Sequence, residues 1–199
     1  MDTEMIDIPS MIMVGAAERN VGKTEFVCSL IGKFGSQHKI VGIKVTPIEL
    51  PEADSLCGEK GSGVCSADGD NFCITQETDV RSDKDTCKML ASGASKVFWV
   101  RALKGHLKQA LVALQELIDE DAVSVCESNS LREIVVPGLF FMLKARAGGS
   151  GSRVSARKVS PYVDRMVGFD GSNFDIDLDQ IELVKGRWVY KMDAMKDHR

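Results

Sequence analysis

The sequence predicts an α/β fold: a mainly parallel central sheet covered on both faces, three layers in all. Apolar runs rich in Val, Ile and Phe lack the strict alternation of a half-solvated strand, so they belong inside a parallel sheet buried on both sides. Between them lie segments whose apolar residues recur at helical spacing, in the order expected of successive βαβ units. Neither an internal repeat nor a low-complexity tract interrupts the rhythm.

In chain order, MIMVGA (11–16) reads as a buried strand. From Thr24 to Phe34 the apolar residues Phe26, Val27, Leu30, Ile31 and Phe34 mark a helix, with Gly35 as its stop. KIVGIKVT (39–46) is a second strand, Asp83 to Ser92 a helix, and KVFWVRA (96–102) a third strand. Leu103 to Ile118 follows as an amphipathic helix with Leu107, Leu111, Leu114, Leu117 and Ile118 on one side. AVSVCES (122–128), GLFFMLK (138–144) and DRMVGFD (164–170) add three strands, and residues 181–191 form a hairpin turning near Lys185 and Gly186. Two stretches break the pattern. Residues 49–81 are polar, rich in Gly, Asp and Cys, and too long for an ordinary connection, so they read as a functional loop or a small insertion. Residues 147–160 read as a flexible basic loop; with Arg146, Arg153, Arg157 and Lys158 in or beside it, it is either a lid for phosphate or simply solvated.

A chain of 199 residues can bury one sizeable core, so residues 1–199 are expected to form a single domain. The net charge of −4 provides no broad basic surface, and a nucleic-acid partner is not expected. The longest apolar stretches, such as IVVPGLFFML, are too short to span a bilayer, and MDTEMIDIPS lacks the features of a secretory signal. A cytoplasmic protein without membrane association is the expectation. Its six cysteines are then thiols or metal ligands.

The chemistry concentrates in AERNVGKT (17–24). This is the phosphate-binding P-loop pattern of Gly, four residues, Gly, Lys, Ser or Thr, with Ala17 in place of the first Gly, set between a buried strand and an amphipathic helix as the motif requires. Backbone N–H groups of Asn20, Val21, Gly22, Lys23 and Thr24 would point into the loop, with Glu25 completing the nucleotide-binding stretch, and the helix N-terminus adds partial positive charge. Lys23 would bridge the terminal phosphates and Thr24 would hold Mg²⁺ through its hydroxyl. The alternative is a glycine-bearing turn followed by a chance Lys and Thr.

NVGKTEFVCSLIGKFG together with KIVGIKVTP resembles dethiobiotin synthetase and the molybdopterin-guanine dinucleotide biosynthesis protein B, members of the signal-recognition, partitioning and metal-maturation class of P-loop NTPases. The similarity covers roughly residues 11–170, and its specific part is the P-loop. It implies a three-layer P-loop NTPase fold carrying a Cys-containing insertion and a C-terminal hairpin. Lys44 matches a strand lysine of those relatives, and Glu127 in VCESNS matches an acid near Mg²⁺. DKDTCKMLASGASKVFWVRA resembles their Asp-bearing helix and points to Asp85 as a further Mg²⁺ ligand. From the residues alone, Asp83 or Asp85 is equally a helix cap, Lys44 a salt-bridge partner and Glu127 a solvated strand end. Two departures limit the likeness. Glu18 stands where partitioning ATPases carry a lysine, and LKAR (143–146) has Lys144 without the Asn and Asp that read guanine. ATP and GTP both stay open, and a homodimer is implied by the relatives.

Cys57, Cys65 and Cys73 recur in the insertion with seven residues between successive members. They are candidate ligands for Zn²⁺ or an iron–sulfur cluster, with a fourth ligand from Cys87, an acid or a partner chain. Paired zinc spacing is absent, so incidental thiols are the competing reading. Cys28 and Cys126 fall where core packing is expected, and His38, His106 and His198 form no recognisable catalytic pair. The expected activity is Mg²⁺-dependent phosphoryl transfer or hydrolysis with Lys23, Lys44 and Glu127 as catalytic residues, serving cofactor biosynthesis or metallocentre maturation by resemblance. The acceptor is a small molecule or client protein. Two alternatives stand beside it: a nucleotide-switched accessory protein or metallochaperone, and a degenerate P-loop kept for structure.

Overall fold

A computed structural model describes residues 5–49, 63–65, 71–146 and 154–191. Its main sheet has eight strands: β1 (Ile6–Ala16), β2 (Ile40–Ile48), β3 (Gly63–Cys65), β4 (Phe72–Gln76), β5 (Lys96–Leu103), β6 (Val123–Glu127), β7 (Val135–Ala145) and β8 (Arg165–Phe169). They lie in the order β3-β4-β5-β2-β6-β1-β7-β8. From β5 to β8 every neighbouring pair is parallel, whereas β4 runs antiparallel to β5 and β3 antiparallel to β4. A separate two-stranded antiparallel sheet is formed by β9 (Ile181–Val184) and β10 (Arg187–Tyr190).

Helices α1 (Lys23–Phe34) and α2 (Asp85–Ala91) cover one face of the sheet, and α3 (Leu107–Gln115) and α4 (Val154–Val159) the other. Strand residues therefore divide by parity. Ile12 and Val14 of β1 pack with Phe26, Val27 and Leu30 of α1, while Met11 and Met13 join Leu107, Leu111 and Leu114 of α3. Removing each large side chain of this kind from water contributes roughly 1.5–3 kcal/mol, which is why a strand buried on both sides shows no polar alternation.

Most sequence expectations hold to within a few residues, and the differences have local causes. The first strand starts at Ile6 rather than Met11, and its pairing with β7 shifts between Ile8 and Ile12, around Pro9, which has no N–H to give a ladder. The long third helix is interrupted: Lys104–His106 is a short 3-10 turn containing Gly105, and α3 ends at Gln115. Leu117 and Ile118 still pack on the core from the turn beyond it. Residues 49–81 are more than a connection, since β3 and β4 extend the main sheet at one edge and Phe72 and Ile74 reach the α3-side core. Within 147–160, where a flexible loop is expected, α4 forms because Ala156 and Val159 bury against the same core.

The expected hairpin is present, and it is anchored. Trp188 of β10 is 0% exposed, donates from Nε1 to the carbonyl of Ser10 at 2.9 Å, and meets the ring of Phe34 at 5.0 Å. Gly138 of β7 lies beneath it: a Cβ there would collide with the Pro9 carbonyl oxygen and stand 2.9 Å from the Trp188 amide nitrogen. Among the described residues no helix is long and apolar enough to cross a membrane. Replacing Trp188→Ala should cost about 3–5 kcal/mol, read as a lowered urea midpoint, because the lost ring spans hairpin, helix and sheet.

Candidate phosphate-binding site

The site is built at the end of β1. The chain leaves the sheet at Ala16 and enters α1 at Lys23, and two residues of the connecting loop, Asn20 (φ 56°) and Gly22 (φ 71°), adopt left-handed backbone. Asn tolerates that region and Gly occupies it without strain. At Gly22 space also matters, because a Cβ would sit 3.1 Å from the ring of Phe169. No side chain caps α1; its first bond runs from the Phe26 N–H to the Gly22 carbonyl at 2.9 Å. The first-turn N–H groups and the positive end of the helix are therefore directed at the loop.

The exit from β1 is pinned by Asn129, which follows β6. Its Oδ1 accepts the Ala16 N–H at 2.8 Å, and its Nδ2 donates to the Ala16 carbonyl at 3.0 Å and to the Ser155 hydroxyl at 3.3 Å. This side chain is absent from the sequence expectations, since nothing in SNS marks it as a clamp on a loop 113 positions away.

Glu127 occupies the centre of the site. Because β6 lies between β1 and β2, parallel register sets Glu127 beside Val14 on one side and beside Lys44 on the other. Its carboxylate is 5% exposed, lies 3.0 Å from Lys23 Nζ and 3.7 Å from Lys44 Nζ, and accepts the Thr24 hydroxyl at 3.0 Å. A solvated strand end is thus excluded, and a buried carboxylate of this kind requires such cationic and hydroxyl partners.

Asp85 opens α2, and its carboxylate pairs with Lys44. Burial pushes the Asp85 carboxyl upward, but the hydrogen bond and charge of Lys44 outweigh it, with help from the Thr24 hydroxyl, and the net shift is below the ordinary range. Asp83 is exposed and outside the cavity, so of the two acids only Asp85 reaches the site. Glu77 holds the preceding segment in place. Its carboxylate accepts the N–H groups of Thr78 and Asp79, each at 3.0 Å, and the Thr86 hydroxyl at 2.7 Å. Burial works against its ionised form, yet those hydrogen bonds bring it down to about 2.

Residues 20–25, Lys44, Asp85 and Glu127 line one cavity of about 610 Å³, within the range of small-ligand pockets. Glu18, Arg19, Phe169 and Gly171 complete it; Phe169 in particular carries no signal in sequence beyond its place at a strand end. The hydroxyl of Thr24 and the carboxylates of Asp85 and Glu127 are hard oxygen donors, a set that suits Mg²⁺, which takes one or two carboxylates with phosphate and water oxygens.

Other sequence candidates lie elsewhere. Arg146 stands 3.6 Å from Asp170, Arg157 and Lys158 are exposed on α4, and none of them lines the cavity; Arg153 is outside the described residues. Cys57 is also outside them. Cys65 of β3 stands opposite Cys73 of β4 in the ladder, and Cys73 is buried with its Sγ 3.8 Å from Arg101 Nη2. Among the described residues no group of three or more His, Cys, Asp and Glu side chains is placed to hold a metal. Cys126 is buried in the core as expected, where desolvation pushes its thiol up.

No family model, curated protein or solved structure matches this chain. The pH dependence of stability offers a check on the segment that delivers Asp85. The folded-state pKa of Glu77 is depressed from 4.5 to about 2, so its contribution is full above about pH 5 and is lost as pH falls toward 2. Glu77→Gln should lower stability at pH 7 by about 1–2 kcal/mol, and the gap to the parent in urea titrations should close over that acidic window.

Proposed function

We propose that this protein binds ATP or GTP with Mg²⁺ and transfers or hydrolyses the terminal phosphate. The observation that carries the reading is the convergence of Lys23, Thr24, Lys44, Asp85 and Glu127, contributed by four different elements, on the cavity formed by an uncapped helix start. The resemblance of the P-loop stretch to dethiobiotin synthetase and its class adds cofactor biosynthesis or metallocentre maturation as the setting, with a cytoplasmic homodimer as the working form.

In phosphoryl transfer a nucleophilic oxygen, from water or an acceptor, attacks the γ-phosphorus while the bond to the β–γ bridging oxygen breaks and the nucleoside diphosphate leaves. There is little covalent chemistry for side chains to perform, so positioning and charge stabilisation dominate. Glu127 is the anionic partner of Lys23, at 3.0 Å. A triphosphate in the loop offers the ammonium a stronger anionic partner, so Lys23 turns to the phosphates and stabilises charge on the transferring group. Thr24, Asp85 and Glu127 would hold the Mg²⁺ ion, which supplies positive charge to the phosphate oxygens when bound. Lys44, tethered between Asp85 and Glu127, would face the acceptor or partner.

One observation favours a second reading, a nucleotide-switched accessory protein that carries metal on its insertion: the ladder places Cys65 directly across from Cys73. Stoichiometric Zn²⁺ or iron lost in Cys65→Ser and Cys73→Ser variants, combined with slow turnover, selects the switch. Rapid phosphate release without bound metal of that kind selects the enzyme.

Titration calorimetry with MgATP and MgGTP and a phosphate-release assay test the proposal. Lys23→Ala should lower turnover by about 10²–10³-fold. A Lys23→Ala protein with parental affinity and turnover, or a parent that binds neither nucleotide, refutes it.

A further inference from the structure

At the β3 edge of the main sheet the register brings two cysteines together. The antiparallel ladder sets Cys65 opposite Cys73, with Val64 opposite Ile74 and Gly63 opposite Thr75. Directly opposed residues in such a ladder have Cα atoms about 4.5 or 5.5 Å apart, according to the type of pair, and share one face of the sheet. A disulfide spans about 4.4–6.8 Å between Cα atoms, so either type of pair allows the two positions to be joined without moving the backbone.

The other described cysteines are placed differently. Cys126 of β6 lies between Met13 and Ile43, and Cys28 and Cys87 sit on helices. Burial pushes all three of those thiols up, which suppresses the reactive thiolate. Cys73 has a cation for company instead. Its neighbour across the next ladder is Arg101 of β5, whose Nη2 lies 3.8 Å from the sulfur. Among the described residues Arg101 has no carboxylate partner, and its guanidinium lies over the Trp99 ring at 4.6 Å. Positive charge beside sulfur is the setting in which thiolates react.

We propose that Cys65 and Cys73 are a redox-active dithiol, closed to a reversible cross-strand disulfide by a small disulfide such as oxidised glutathione. The proposal is independent of the nucleotide reading, and it differs from the metal reading, which requires both sulfurs reduced. Attack begins at Cys65, because β3 is the outermost strand whereas Cys73 is 1% exposed. The Cys65 thiolate, its proton lost to water, displaces one glutathione thiolate and forms a mixed disulfide. Cys73, deprotonated in turn, attacks the Cys65 sulfur and expels the second glutathione. Two protein thiols become one disulfide, and one oxidised glutathione becomes two reduced ones.

The sequence contains its own control. Cys57 and Cys73 are equally far from Cys65, with seven residues between in each case, so loop closure alone would join Cys65 to either. Only the ladder prefers Cys73. Trypsin separates the two products, since cleavage after Lys60 and Arg81 leaves Cys65 and Cys73 together in peptide 61–81 and Cys57 in another.

The folded protein, with and without prior chelation, is equilibrated in mixtures of oxidised and reduced glutathione, quenched in acid, alkylated and digested for mass spectrometry. Peptide 61–81 should lose about 2 Da, escape alkylation at both cysteines and regain both thiols in excess reduced glutathione. Cys73→Ser should stop at a glutathione adduct on Cys65. In strong denaturant the preference should vanish, leaving the Cys57–Cys65 and Cys65–Cys73 products within about two-fold of each other. Full alkylation of both cysteines in peptide 61–81 after oxidation, pairing of Cys65 with Cys57 in the folded protein, or one product ratio for folded and unfolded chains overturns the proposal. Resistance to oxidation that only chelation relieves overturns it in favour of the metal reading.

Discussion

A carboxylate at the centre of a parallel sheet's edge imposes the constraint on which this site depends. Glu127, 5% exposed, would lose several kcal/mol of hydration if it stood alone, and ionised groups are tolerated in such positions only when paired and hydrogen-bonded. The protein meets that demand with Lys23, Lys44 and the Thr24 hydroxyl, drawn from a helix start and a neighbouring strand. Satisfying one buried charge thus brings together the groups able to handle a second anion. The balance is kept by Asp85, which shares Lys44 and prevents the cluster from being dominated by one sign.

Strand order turns that cluster into a directional site. Were β2 next to β1, Lys44 would adjoin the loop directly and Glu127 would lie elsewhere; with β6 between them, acid and lysine line up on one flank of the loop. The other flank is left to β7 and β8. Rigidity is supplied at a distance. Asn129 pins the exit of β1, Glu77 fixes the approach to α2, and the row from Phe169 through Phe174 to Phe26 ties the far end to the core. These supports are hydrogen bonds and ring contacts of the chain with itself, and they fix the positions of the groups that line the cavity.

Legibility in the sequence followed the range of the interactions involved. The βαβ rhythm, the hairpin turn at Lys185 and Gly186, and the stretch AERNVGKT were readable because each is written in contiguous residues with a fixed period or spacing. The strand pair β3 and β4 was hidden by polar and glycine-rich flanks, although Phe72 and Ile74 alternate as the core-facing residues of a strand do. α4 was hidden because six residues carry too little periodicity to declare a helix, and it holds only through Ala156 and Val159 against the core. The choice between Asp83 and Asp85 was not local either, since it turns on which acid faces Lys44 once α2 is placed.

The chain by itself determined the loop's chemistry: a left-handed glycine, a lysine and a threonine in sequence at the start of an amphipathic helix. Local backbone preference and hydrophobic period suffice for that. The tertiary structure alone decided what surrounds the loop, because Glu127, Asn129 and Phe169 reach it from more than a hundred positions away through parallel register and packing. No short-range pattern encodes a contact whose energy comes from burying a charge or a ring only after the whole sheet has assembled.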